Sequence, residues 1–495
     1  MEELNPKEIY EKLIVSRKAY EDRAEQLAKV TIPYLFTGTG STETTKMNDT
    51  YASRYSAIAI NSLASNMSLT LLPPSGSSFR FDPDSKSMED FTQGDADMRA
   101  EIMALLGTNM SRVNKEIENQ QIRPQFHELL LNMIAVAPVV VEKVEKEGIK
   151  WHSIRNFAVK LGVTGEPLQI VVRETMDRQE VPEDIDIDEG VDTVDLYTLC
   201  NYSNKEWIVT QSIEGDIVGK ETKYKKDKLP YVYLGWTRQK GDTYHRPYAE
   251  QYYGILEDYA NMNKILVQGS LIASKSLIMV NPLGVTRKSD VADSSNGDVI
   301  DGKADEVTAF QLGKNYDFQV PMQHKNELIQ QIDRAFLSRQ GTQRQAERVT
   351  AEEIRQDAQE LEKSLAGIYS VMAKKFNKWL ILQIMEELNI KFDSIDVAVV
   401  TGLDALGRNI ESQKMDNFMT RIANLGLQAW LKEDEIISRY ASYDGIDTVN
   451  LVKSPNEVAT ERQQANEQAL QQQLLTSGAD SLGKSAGQAA VQPQQ

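Results

Sequence analysis

Four arginines crowd one short stretch of an acidic chain. Arg334, Arg339, Arg344 and Arg348 meet only Asp333 and Glu347 over the same interval. The 495 residues as a whole carry 55 lysines and arginines against 73 aspartates and glutamates, a formal charge of -18. Guanidinium groups are planar, permanently charged donors that match pairs of phosphate oxygens, so one reading is a site that meets a polyanion. The other is a solvated loop whose arginines pair with nearby carboxylates. Composition alone leaves both open.

The remaining candidates for chemistry are weaker. Gly402 and Gly407, five apart after an apolar stretch, come close to a nucleotide-binding P-loop, which supplies Lys for the terminal phosphates and Ser or Thr for magnesium. Arg408 and Asn409 stand at those positions, so both chemical groups are missing, and a turn with a helix cap is the plainer reading. Asp184, Asp186 and Asp188 resemble the start of a calcium loop, but the glycine comes one place late at Gly190 and no Glu fills the bidentate position. Lys223, Lys225, Lys226 and Lys228 form a basic knot between expected strands and read as a solvated hairpin end. His127, His152, His245 and His324 lie in separate elements, none in ligand spacing with another His or with the lone Cys200, so no metal and no cofactor is expected. Neither a nucleophile elbow nor a dinucleotide fingerprint occurs, and no catalytic residue is nominated.

The arginines sit just ahead of the best-marked helix. Thr350 with Glu353 forms a capping box, and Ile354, Ala358, Leu361, Leu365, Ile368, Met372, Phe376 and Trp379 then recur at steps of three or four. Glu352, Glu353 and Asp357 lie near the start and Lys374, Lys375 and Lys378 further on, the order that the helix dipole favours. At about 1.5 Å per residue a helix over 350–388 is roughly 55 to 60 Å long.

Before it, the periodicity predicts helices over 4–30 (Ile9, Leu13, Tyr20, Leu27 and Val30 on one face), up to Pro73 (Ile58, Ala59, Leu63, Met67, Leu71), through Met98, Ile102, Leu105, Leu106, Met110 and Val113, and over 126–134. Residues 75–87 read as turns. From Val139 the period becomes that of strands, at 139–144, 149–154, 168–173, 193–197, 207–211 and 231–236, an antiparallel meander punctuated by glycines. A helix of about 25 residues follows from Tyr248. Then comes a polar island with strand-like pieces at 277–280, 298–301 and 307–311, and a helix over 322–337 leads into the arginine loop. Beyond Leu388 a strand is expected at 395–401 and helices at 412–425, 434–440 and 456–475. Residues 476–495 are a Gly/Ala/Gln tail with little to bury, expected to be disordered.

Length and an apolar fraction of 41 % fit about three domains or one large elongated subunit with a real core. A single cysteine allows no internal disulfide and fits a reducing cytoplasm. The first 20 residues lack the apolar run of a signal peptide, and the longest apolar run, 129–141, is about half a membrane span and holds Pro138. A soluble protein is expected. The acidic balance argues against a wide nucleic-acid grip, though not against letting a polyanion slide past.

Several segments resemble the portal, or head-to-tail connector, proteins of short-tailed double-stranded DNA phages: Glu347-Arg348-Val349-Thr350-Ala351-Glu352-Glu353-Ile354-Arg355, Tyr20-Glu21-Asp22-Arg23-Ala24 with Ile32-Pro33, Ile272-Ala273-Ser274-Lys275 with Val280-Asn281-Pro282, Gly297-Asp298-Val299, and Thr401-Gly402-Leu403 with Gly407-Arg408. They keep the family's order along the chain.

The resemblance implies an α+β, mainly α, portal fold and a homo-oligomeric ring of about twelve subunits around a DNA channel. It divides the chain into a wing at 1–245, stem helices at 246–275 and 319–338 flanking a clip at 276–318, and a channel loop at 339–349. A long helix and strand at 350–404 lead to a crown at 405–475 and a tail at 476–495. It puts Arg334, Arg339, Arg344 and Arg348 against double-stranded DNA, and Arg287, Lys288, Asp290, Asp293, Asn296 and Asp298 against the packaging terminase and later the tail adaptor. Major capsid and scaffolding proteins, internal core proteins at the tail end of the chain, and a place at the capsid portal vertex after assembly in the host cytoplasm complete the picture. The C-terminal region is shorter than in larger relatives, which puts an extended barrel above the crown in doubt. Two rival readings have their own marks. An NTP-dependent packaging enzyme would turn over ATP, and a scaffold or coat component would be present in many copies per particle.

Overall fold

The computed structural model describes residues 5–37, 54–74, 78–93, 95–181, 192–213, 215–273, 276–295, 297–311, 319–338, 363–364, 368–391, 397–401 and 408–427, with positions 431, 436–437, 440 and 460. The acidic turn at 184–188, the capping box, the loop at 339–349, the glycines of the P-loop-like stretch and the tail lie outside them, as does most of what was expected at 434–440 and 456–475.

In chain order the elements are α1 (Pro6–Ile14), α2 (Lys18–Val30), α3 (Arg54–Leu71), β1 (Phe79–Pro83), α4 (Ser85–Thr92), α5 (Ala96–Asn119) and α6 (Ile122–Ala135). Strands follow: β2 (Val139–Val144), β3 (Gly148–His152), β4 (Phe157–Leu161), β5 (Pro167–Asp177), β6 (Thr193–Ser203), β7 (Glu206–Ile213), β8 (Asp216–Lys225) and β9 (Tyr231–Leu234). Then come α7 (Tyr253–Ala273), β10 (Ser276–Val280), α8 (Lys288–Asp293), β11 (Val307–Gln311), α9 (Gln319–Phe336) and α10 (Ile368–Met372). A π-helical turn (Ala373–Asn377) joins α10 to α11 (Lys378–Glu387), and β12 (Val397–Thr401) and α12 (Arg408–Asn424) complete the described elements. Helix outweighs strand, so the class is α+β and mainly helical.

The chain forms two compact units, one of Met1–Pro74 with Ile117–Gln383 and one of Ser75–Glu116 with Ile384–Gln495. In the first, β4-β5-β6-β7-β8 make an antiparallel meander and β3-β2-β9 a second, three-stranded sheet. Helix α1 lies on the meander, where Ile9 and Tyr10 cluster with Ala158, Val171, Tyr197 and Leu199. Helix α3 packs on α6 with Ala59, Leu63, Met67 and Leu71 buried, each large side chain contributing about 1.5–3 kcal/mol by leaving water. Phe126 of α6 stacks on Phe376 at 4.3 Å. Trp379 Nε1 donates to the Leu229 carbonyl at 2.9 Å.

Several expectations are corrected here. The helix expected over 4–30 is two helices, because Arg17 is buried at the break. Its guanidinium donates to the Tyr10 hydroxyl and the Phe157 carbonyl, both at 2.9 Å, and its Nε lies 2.7 Å from Glu21. Ile58, placed on the buried face of α3, is exposed. Strands β4 and β8 were unmarked, and Lys223 and Lys225 belong to β8 rather than to a connection. A 3-10 turn, Tyr248–Tyr252, precedes α7, so the expected long helix starts later.

In the second unit, β1 pairs antiparallel with β12, Phe79 opposite Thr401 and Pro83 opposite Val397. The stretch read as turns therefore holds a strand. Leu106, Met110 and Val113 of α5 are buried, whereas Met98 and Leu105, expected beside them, are exposed. Helix α12 ends where Gly426 takes φ 69 and the Leu427 amide reaches back to the Ile422 carbonyl, a Schellman stop.

Candidate functional site

Of the sequence-predicted residues, Arg287, Lys288, Asp290, Asp293, Asp298 and Arg334 lie on one arm of the first unit, built by α7, α9 and the hairpin between them. Tyr252, just ahead of α7, meets Phe336 at 5.7 Å, and eleven residues on, within α7, Asn263 accepts from Lys325 Nζ at 2.9 Å. The two helices are thus antiparallel. Their base is fixed by aromatic packing: Tyr248 sits edge-on to Phe336 at 5.5 Å and tilted against Trp236 at 4.9 Å, and its hydroxyl donates to the Ala335 carbonyl at 2.6 Å. From α3, Tyr55 donates to Asp333 Oδ1 at 2.5 Å, and burial pushes this phenol above its usual range. Away from the base the pair turns apolar side chains outward, among them Ile265, Leu271, Val320 and Met322.

At the tip, β10 and β11 form the antiparallel hairpin, Ser276 opposite Gln311 and Val280 opposite Val307. Thr286, 5 % exposed, organises the excursion beyond it. Its amide and hydroxyl donate to Glu306 Oε2 at 2.9 and 2.8 Å, and its hydroxyl accepts the Lys303 amide at 3.0 Å. These bonds, the backbone one first, hold the Glu306 carboxyl below its ordinary value. A Cβ at Gly284 would lie 2.6 Å from that carboxylate and one at Gly302 2.6 Å from the Thr286 hydroxyl, so both glycines are needed for the close approach.

Of the residues nominated for docking, Arg287 precedes α8, Lys288 opens it, and Asp290 and Asp293 lie on it; Arg287, Lys288 and Asp293 are exposed. Asp298 accepts the Ser295 amide at 2.6 Å, and Asn296 lies outside the described residues. The strand expected at 298–301 is absent, since Asp298 bends the chain into a turn instead. Sequence reasoning passed over the apolar members of this surface, Leu283, Val285 and Val299, the last 99 % exposed. Their signal was an isolated apolar residue among turn formers.

Arg334 is exposed in the last turn of α9, beside the Asp333 that Tyr55 holds. The helix stops at Leu337 (φ 53), where the Ser338 amide bonds the Asp333 carbonyl, a second Schellman stop that directs the chain toward the arginine loop. Arg339, Arg344 and Arg348 lie outside the described residues. The P-loop-like stretch follows β12, whose described partner is β1, in a two-stranded antiparallel ladder.

The sequence profile of the family described as "Bacteriophage head to tail connecting protein" matches residues 5–449. Among individual proteins, the portal protein of Escherichia phage T7 is 28 % identical over 518 residues, 99 % of this chain and 95 % of its own. That of Enterobacteria phage T3 is 28 % identical, covering 90 % and 88 %, and that of Enterobacteria phage SP6 28 % identical, covering 95 % and 94 %. Among solved structures, a chain of the virion of the native gene transfer agent particle aligns with 75 % of this chain and 97 % of its own at 12 % identity and a TM-score of 0.33.

Proposed function

Since the chain belongs to the family of bacteriophage head to tail connecting proteins, the portal proteins, we propose that it assembles into a closed ring of about twelve copies at one capsid vertex. Through this ring double-stranded DNA enters and later leaves. The family is structural and non-enzymatic, joining head to tail in the virion. An NTP-dependent packaging enzyme is set aside on that ground and on the missing Lys and Ser/Thr after Gly407. The match across residues 5–449 carries the reading.

In this assignment α7 and α9 are the stem and residues 276–318 the clip. The clip offers its charged residues and the exposed Leu283, Val285 and Val299 to the terminase during filling and to the tail adaptor afterwards. Residues 1–245 form the wing, facing capsid and scaffolding proteins. Residues 339–349 are the channel loop, 350–404 lead to the crown at 405–475, and the tail meets internal core proteins. The outward apolar residues of the stem, Ile265, Leu271, Val320 and Met322, are the faces that neighbouring copies cover.

Negative-stain electron microscopy of the purified chain tests the ring. Closed rings with a central hole are expected, and Val320→Glu with Ile265→Glu should leave folded monomers. A wild-type chain that remains monomeric or dimeric at high concentration would sink the reading.

A further inference from the structure

Side chains from three strands meet between the two sheets of the first unit. Glu142 on β2, His152 on β3 and Glu174 on β5 each bring one ligand-type atom within 4.8 Å of the other two. The ladder registers place them: Val140 stands opposite His152 and Glu142 opposite Lys150, so Glu142, Lys150 and His152 share one face of the three-stranded sheet. Glu174 meets that face from the five-stranded sheet, through Lys150. His152 is 3 % exposed, and the Glu142 and Glu174 side chains are 20 % and 19 % exposed.

Tyr231, opposite Glu142 on β9, donates to Glu142 Oε1 at 2.6 Å, which leaves Oε2 3.3 Å from His152 Nε2. About 3.3 Å is the spacing of two neighbouring ligands on a tetrahedral ion with bonds of about 2.0–2.1 Å. The cation now in this place is the Lys150 ammonium, bonded to Glu174. The Lys150 side chain is 57 % exposed, so it can swing into water at little cost.

We propose that Glu142, His152 and Glu174 form a site for a divalent transition metal of the zinc class, which displaces Lys150 and pins the three-stranded sheet to the five-stranded one. Two carboxylates and a neutral imidazole balance a dication. One nitrogen among the donors favours zinc, cobalt or manganese over magnesium and calcium, which take oxygen ligands throughout. A fourth position stays open to water. The proposal is independent of the ring and its channel, and it assigns a structural clamp rather than a reaction.

The test uses the full chain, stripped with chelator, and titrates Zn2+ by calorimetry and Co2+ by its visible absorbance. One ion per chain is expected, with no response to Mg2+. Lys150→Ala should bind at least about 10-fold tighter, because the competing ammonium is gone, and Glu174→Gln and His152→Asn should abolish binding. Should the buried His152→Asn fail to fold, the partly exposed Glu174→Gln carries the test. If Lys150 merely completes an ion network, Lys150→Ala lowers the melting temperature and shows no metal response, which overturns the proposal. Binding that survives Glu174→Gln also overturns it.

Discussion

Thr286 and Glu306 decide whether the tip of the arm keeps its shape, because one carboxylate oxygen takes both Thr286 donors while the Thr286 hydroxyl takes the Lys303 amide. Valine has nearly threonine's shape, so Thr286→Val removes two of these bonds with little change in packing. Amides over residues 281–306 should then exchange hydrogen several-fold to about a hundred-fold faster. Unchanged protection would remove the knot from the account. Since the folded Glu306 pKa is depressed, its contribution is complete above the ordinary carboxylate value and is lost as pH falls through the depressed one. Tip exchange should accelerate in that acid window, and less so in the variant. His245 makes a second pH prediction. Burial, then Lys375 and Arg238, push its pKa down to about 4, so it is neutral in the fold while the unfolded chain takes up a proton near 6.5. Stability is therefore present above about 6.5 and lost as pH falls toward 4, by up to about 3 kcal/mol. His245→Gln should flatten this slope in thermal melts, leaving a remainder from His127, which burial also lowers. An identical slope would mean that His245 is protonated in the fold.

At the scale of elements, the π-helical turn between α10 and α11 shows why periodicity described the long helix only in part. The repeat of Met372, Phe376 and Trp379 marks one α-helical face, and all three are buried. The wider turn also drives Ala373 and Asn377 inward, and Asn377 donates to the Leu71 carbonyl at 2.8 Å, one of the carbonyls that the end of α3 leaves open. Asn377→Ala should cost about 1–3 kcal/mol, read as a lower denaturation midpoint at unchanged slope. An unchanged midpoint would show that the bond contributes nothing. The central strands β2, β5, β6 and β7 were legible because one or both faces are buried and apolar. Strand β8 was not, since it is exposed along almost its whole length and keeps no alternation. Strand β1 was missed because its partner β12 lies more than 300 residues away, and the α1/α2 break because nothing local announces that Arg17 is buried. Of the candidate site, the polar island between α7 and α9 was legible. The hydrogen-bonded knot inside that island was not, because it joins Thr286 to Glu306 across a polar stretch with no period. Glu142, His152 and Glu174 escaped for a related reason: their meeting depends on the registers of separate strands.

For the whole molecule, the charge of -18 sets the problem that the proposed DNA conduit must solve. With that net charge the chain as a whole repels a polyanion, which would keep DNA from sticking, and a channel would need just enough attraction to center and hold it. The arginines at 344 and 348, once repeated around a ring, would form a belt of guanidinium groups against phosphates at one level of the channel. Replacing both with alanine removes two cations per copy. Rings should therefore form as in the wild type, while the filled particle packages or retains its genome less well. Phosphate contacts release counterions, so DNA retention in the wild type should fall as salt is raised, and the variant should show a weaker salt dependence as well as a lower starting value. Particles would be assembled with either chain, incubated at increasing ionic strength and assayed for nuclease-sensitive DNA. Equal packaging and the same salt curve for the two would take these arginines out of the channel and return the loop to solvated ion pairing.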